Sequence, residues 1–161
     1  MKLEGMNMAT SMKSRIDKLA EWLKVNPFNI MDCVYEITTE YFGKDKGIEY
    51  ALDIKEGMDE NIEYAKKLEL AKGNVLSDEE IQVVCNSSVI TYAWHQAAFI
   101  RQQYAQAEYF GTDAGDIFNL EAELRRKYPF LREAFDILDG VDETAIPKET
   151  IASEEDDELP F

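Results

Sequence analysis

The residues best suited by type and spacing to do chemistry stand at the end of the chain, where Glu154, Glu155, Asp156, Asp157 and Glu158 run into Leu159-Pro160-Phe161. A terminal Phe ring can fill an apolar pocket while its α-carboxylate takes an Arg or Lys and the acids behind it lie along a basic rim. Pro160 restricts the backbone beside the ring, so less freedom is lost on docking. Asp156, Asp157, Glu158, Leu159, Pro160 and Phe161 therefore read as a docking peptide that any residue added after Phe161 would weaken. The plainer alternative is a solubilising acidic extension.

A second group is Arg125-Arg126-Lys127-Tyr128, with Arg132 downstream and Arg101 and Tyr104 upstream. Arginines beside exposed aromatics bind phosphates and stack on unpaired bases, so Arg101, Tyr104, Arg125, Arg126, Lys127 and Arg132 form the candidate nucleic-acid site. Two other uses compete with it. Basic residues in the last turn of a helix favour the negative end of its dipole, and the cluster is also a receiver for the chain's own acidic tail. The carboxylate pairs Glu60/Glu63 and Glu133/Asp136 have the spacing that puts two acids on one helix face, as all-α nucleotide pyrophosphohydrolases use for magnesium. The pairs lie far apart in the sequence, and solvated faces are the better explanation. His95 is the only histidine, and its apolar stretch points to a hydrogen-bonded core imidazole rather than a base. No Gly-rich phosphate loop is present. No catalytic residue, cofactor or metal ligand is assigned.

The end of the chain resembles the acidic C-terminal tip of bacterial single-stranded DNA-binding proteins, a short run of Asp followed by an aliphatic residue, Pro and Phe. The likeness covers about the last eight residues. In that family the tip recruits helicases, nucleases, primosome and repair proteins, and folds back onto the family's own DNA-binding surface. The resemblance implies a place in DNA metabolism. It does not reach the body of the chain, because that family's binding domain is a five-stranded barrel and residues 10–140 show helical patterning.

Composition bounds the rest. A chain of 161 residues makes one domain with a core that needs no disulfide or metal staple. Cys33 and Cys85 sit in apolar helical patterns with no CxxC pair and no secretory leader, which fits reduced core thiols in a cytoplasmic protein. The formal charge is −16, of which residues 141–161 supply −7 and the body −9. A body this acidic repels phosphate at long range unless its bases are gathered on one face. The protein thus either acts on DNA through partners and a local basic strip, or imitates DNA and occupies a basic groove.

The elements that must position these residues are helical throughout. Residues 1–10 are expected as a flexible leader, 11–140 as a helical domain and 141–161 as the acidic tail. Thr10 or Ser11 caps a first helix bearing Ile16, Leu19, Ala20 and Leu23, which Asn26-Pro27 ends. A second helix turns Ile30, Cys33, Val34, Ile37 and Tyr41 inward and stops at Gly43. From Asp45 to Lys72 the pattern gives two helices or one bent at Gly57-Met58. Ser77 and Glu80 make a capping box with Leu76 stapling onto Ile81. Residues 81–100 contain no Asp, Glu, Lys or Arg, the composition of a helix surrounded by others. That helix, about 78–110, is the expected centre of a compact all-α bundle of five to seven helices. Its polar residues argue against a membrane span.

These features lead to a non-enzymatic accessory protein of DNA replication, recombination or repair, of phage or mobile-element origin, that engages DNA-processing proteins through its tip and itself contacts single-stranded DNA. An acidic DNA-mimic inhibitor of a host nuclease or defence protein comes second. A magnesium-dependent nucleotide pyrophosphohydrolase comes third.

Overall fold

The computed structural model describes residues 2–140, with side chains from residue 12 onward. Their local signals build six helices: α1 (Lys2–Val25), α2 (Ile30–Phe42), α3 (Lys44–Ala71), α4 (Asp78–Phe110), α5 (Leu120–Lys127) and α6 (Leu131–Asp139). No strand occurs among the described residues. The class is all-α, a bundle in which α4 touches each of the other five helices. The tail, residues 141–161, lies outside the described residues.

Each helix end has a chemical cause. Asn29 caps α2 by accepting a hydrogen bond from the Met31 amide at 3.0 Å. The Ser77 hydroxyl accepts from the Glu80 amide at 3.1 Å and the Glu80 carboxylate from the Ser77 amide at 2.8 Å, a complete capping box opening α4. Gly111, left-handed at φ 69°, closes that helix. Asn119 caps α5 through the Ala122 amide.

Three expectations are corrected. α1 starts at Lys2 rather than at a Thr10 or Ser11 cap, because residues 2–10 include Met, Ala, Leu, Lys and Glu, all good helix formers. Of the two alternatives for residues 45–72, separate helices are ruled out, because α3 runs as one helix through Gly57. Met58, buried in the core beside it, holds the segment where a glycine alone costs only about 1 kcal/mol. Tyr41, expected inward, is 41% exposed because its hydroxyl donates to Asp116 at 2.9 Å.

The core gathers Leu19 and Leu23 of α1, Ile30, Val34 and Ile37 of α2, Val89 and Ile90 of α4, Leu124 of α5 and Phe135 and Leu138 of α6. Two small features lock it. At Gly47 an added Cβ would lie 2.4 Å from the Thr39 Cα, so α2 and α3 meet backbone to backbone, and Thr38 Oγ1 donates to the Gly47 carbonyl at 2.8 Å. Asn86 is buried on α4. Its amide nitrogen donates to the Phe28 carbonyl at 2.7 Å, and its oxygen accepts from the Ile30 amide at 3.0 Å, tying the α1–α2 turn to the central helix. Cys33 and Cys85 are buried free thiols. Among the described residues no helix is long and apolar enough to cross a membrane.

Candidate functional site

The proposed docking residues, Asp156, Asp157, Glu158, Leu159, Pro160 and Phe161, lie outside the described residues. The chain leaves the described body at Gly140, next to Asp139, whose carboxylate accepts from the Trp94 indole at 2.8 Å.

The basic cluster is fully placed, and acids surround it. Leu120 and Leu124 bury one face of α5, which turns Arg125, Arg126 and Lys127 toward α6 and α2. Arg125 donates from Nε to Glu121 at 2.6 Å, from Nη1 to Asp136 at 3.1 Å and from Nη2 to Asp139 at 2.8 Å. Its guanidinium also lies 5.3 Å from the Phe135 ring centroid. Arg126 pairs with Glu123 at 2.7 Å and approaches Glu40 at 3.6 Å. Lys127 pairs with Glu40 at 3.2 Å and Glu36 at 3.5 Å. The Tyr128 hydroxyl donates to the same Glu36. Arg132 is exposed and donates from Nε to the Arg125 carbonyl at 3.2 Å. Arg101 is exposed on α4. Tyr104 clips the loop after α4, donating to the Gly115 carbonyl at 3.3 Å and accepting from the Ile117 amide at 3.4 Å.

The cluster joins α5 to α6 through Arg125 and α5 to α2 through Arg126 and Lys127. Glu121 is 7% exposed, and burial raises its pKa against the opposing pull of Arg125. The hydrogen bond to Glu40 leads the effects that raise the Lys127 pKa. The Tyr128 hydroxyl lowers that of Glu36. Burial pushes the Cys33 thiol up to about 11. With three of its six members facing carboxylates, the cluster offers phosphate far less positive field than its sequence suggests.

The remaining candidates are kept apart. Glu60 and Glu63 are exposed on α3, with Glu63 paired to Lys66 at 3.5 Å, while Asp136 serves Arg125. Helices α3 and α6 do not touch, so the two carboxylate pairs do not converge. Among the described residues no group of three or more His, Cys, Asp or Glu is placed to hold a metal ion. His95, expected in the core, is exposed and packs edge-on against Trp94, with ring centroids 5.1 Å apart.

A cleft between α3 and α4 has no counterpart in the sequence reading. It encloses about 270 Å³ and is lined by Tyr50, Asp53, Gly57, Asn61, Ser88 and Tyr92 among others. Its one signal in the sequence is Gly57. Comparison of the chain with family models, curated proteins and solved structures finds no match.

Proposed function

We propose that this protein is a non-enzymatic accessory factor of DNA replication, recombination or repair that engages DNA-processing proteins through its acidic C-terminal peptide. The sequence of residues 154–161 carries the proposal. Phe161 anchors in an apolar pocket, its carboxylate meets a basic side chain, and Asp156, Asp157 and Glu158 steer by charge. A short exposed peptide of this kind binds at roughly micromolar strength and weakens with salt. The setting is a cytoplasm, that of the host if a phage encodes the chain.

Single-stranded DNA is a secondary partner at most. Arg125, Arg126 and Lys127 are held by Glu121, Asp136, Asp139, Glu123, Glu40 and Glu36, which leaves Arg101, Arg132 and Tyr104 for contact with a strand. The test is competition. The protein should displace a labelled tip peptide of a single-stranded DNA-binding protein from a tip-binding exonuclease, and the same protein with one Gly appended after Phe161 should not. Equal displacement by both proteins would remove the carboxylate from the mechanism.

A second reading has its own support. Asp45, Glu49, Asp53, Glu56, Glu60 and Glu63 are exposed on α3 at spacings of three and four residues, so they share one face. Such a row of carboxylates can stand in for phosphates in the basic groove of a nuclease, and inhibition of that kind would survive loss of the tip.

A further inference from the structure

The cleft between α3 and α4 combines four observations. Tyr50 and Tyr92 form aromatic walls, and both hydroxyls accept from the Gln96 amide, at 3.1 and 3.3 Å, which fixes their rings. Asp53 stands in the lining, and no lining residue is basic. The Asn61 amide nitrogen donates to the Ser88 hydroxyl at 2.6 Å, which leaves the Asn61 carbonyl as an acceptor. Gly57 sits mid-helix, where glycine is modestly less favourable than Ala, and a Cβ there would meet nothing within 4 Å. Gly57 lines the cleft and the space beside it is open, unlike the close helix contact at Gly47.

From this geometry we infer that the cleft receives an arginine side chain from a basic segment of a partner protein. The volume of about 270 Å³ suits one long side chain and falls below the usual range for drug-sized ligands. A guanidinium is planar, rich in donors and weakly hydrated, so it lies flat against a Tyr face while donating to Asp53 and Asn61 at less desolvation cost than a compact, strongly hydrated ammonium. Charge decides between a free small molecule and a peptide. Asp53 belongs to the acidic row of α3, with Glu49 one turn before it and Glu56 and Glu60 beyond. None of these four acids has an ion-pair partner among the described residues. A basic segment lying along α3 would place one arginine in the cleft and further cations on the row. This contact is independent of the terminal peptide and would give the protein a second point of attachment.

The experiment is a titration of the isotope-labelled full chain, followed by amide chemical shifts. The probes are an octapeptide with one central arginine among lysines, an all-lysine peptide of equal charge, and a capped single arginine. The arginine peptide should shift the amides of Asp53, Gly57, Asn61, Ser88 and Tyr92 saturably and bind severalfold more tightly than the lysine peptide. Gly57→Leu, which fills the cleft without changing charge, should weaken it about tenfold. Asp53→Asn, an exposed change that spares the fold, should weaken it severalfold. Equal binding of the two peptides with shifts spread along α3 and the tail, or indifference to Gly57→Leu, would reduce the surface to diffuse electrostatics. Capped arginine binding as tightly as the peptide would make this a small-molecule site and overturn the assignment to a protein partner.

Discussion

Asn86 and Arg125 are the residues on which separate parts of the bundle converge. Asn86 serves the Phe28 carbonyl and the Ile30 amide, both without another partner in regular structure. Asn86→Ala leaves both polar groups buried and should cost about 2–3 kcal/mol in urea denaturation. Arg125→Ala strands Glu121, whose Oε1 is already buried without a partner, and should cost about 2 kcal/mol. Arg126→Ala removes only exposed pairs and should leave the denaturation midpoint nearly unchanged. If the cluster instead served nucleic acid, both arginine variants would lose DNA affinity alike. The Cys33 thiol, ordinarily near 9, titrates at about 11 in the fold because burial disfavours the thiolate. The unfolded chain therefore releases its proton first. That stability is complete below about pH 9 and should be lost as pH rises toward 11, read as a falling melting temperature. Cys33→Ala should flatten part of that slope, and neither thiol should react readily with a disulfide reagent at pH 8 before unfolding.

At the scale of elements, features written within a few consecutive residues were legible. The capping box at Ser77 and Glu80, the stop at Gly43 and the uncharged stretch of α4 all follow from local chemistry, and α2, α3 and α4 lie close to where those signals place them. What depends on contacts distant in sequence was not. Lys127 and its partner Glu40 are separated by 87 positions, so the cluster's neutralisation could not be read from Arg125-Arg126-Lys127 alone. On α3 the apolar Ile48 and Leu52 are exposed, while Gly47 and Ala51 face inward, because a close helix contact selects for small side chains that hydropathy undervalues. The two glycines of that helix should respond oppositely. Gly47→Ala drives a Cβ into the α2 backbone and should cost about 3 kcal/mol. Gly57→Ala enters open space and should stabilise by up to about 1 kcal/mol. Thermal denaturation of the pair checks both.

For the whole molecule, a chain of net charge −16 joins a helical body with its cations largely paired to a tail that ends in an aromatic residue. Long-range attraction therefore favours basic protein surfaces over DNA, and association should slow as ionic strength rises. Docking by the tip is the central claim. The most direct measurement is fluorescence anisotropy of the labelled full chain against a tip-binding exonuclease, beside a variant lacking Leu159, Pro160 and Phe161. Micromolar binding by the full chain that vanishes in the variant is the expected result. Equal binding by the two, or none by either, would contradict the docking role and leave the acidic face of α3 as the better guide to what this protein does.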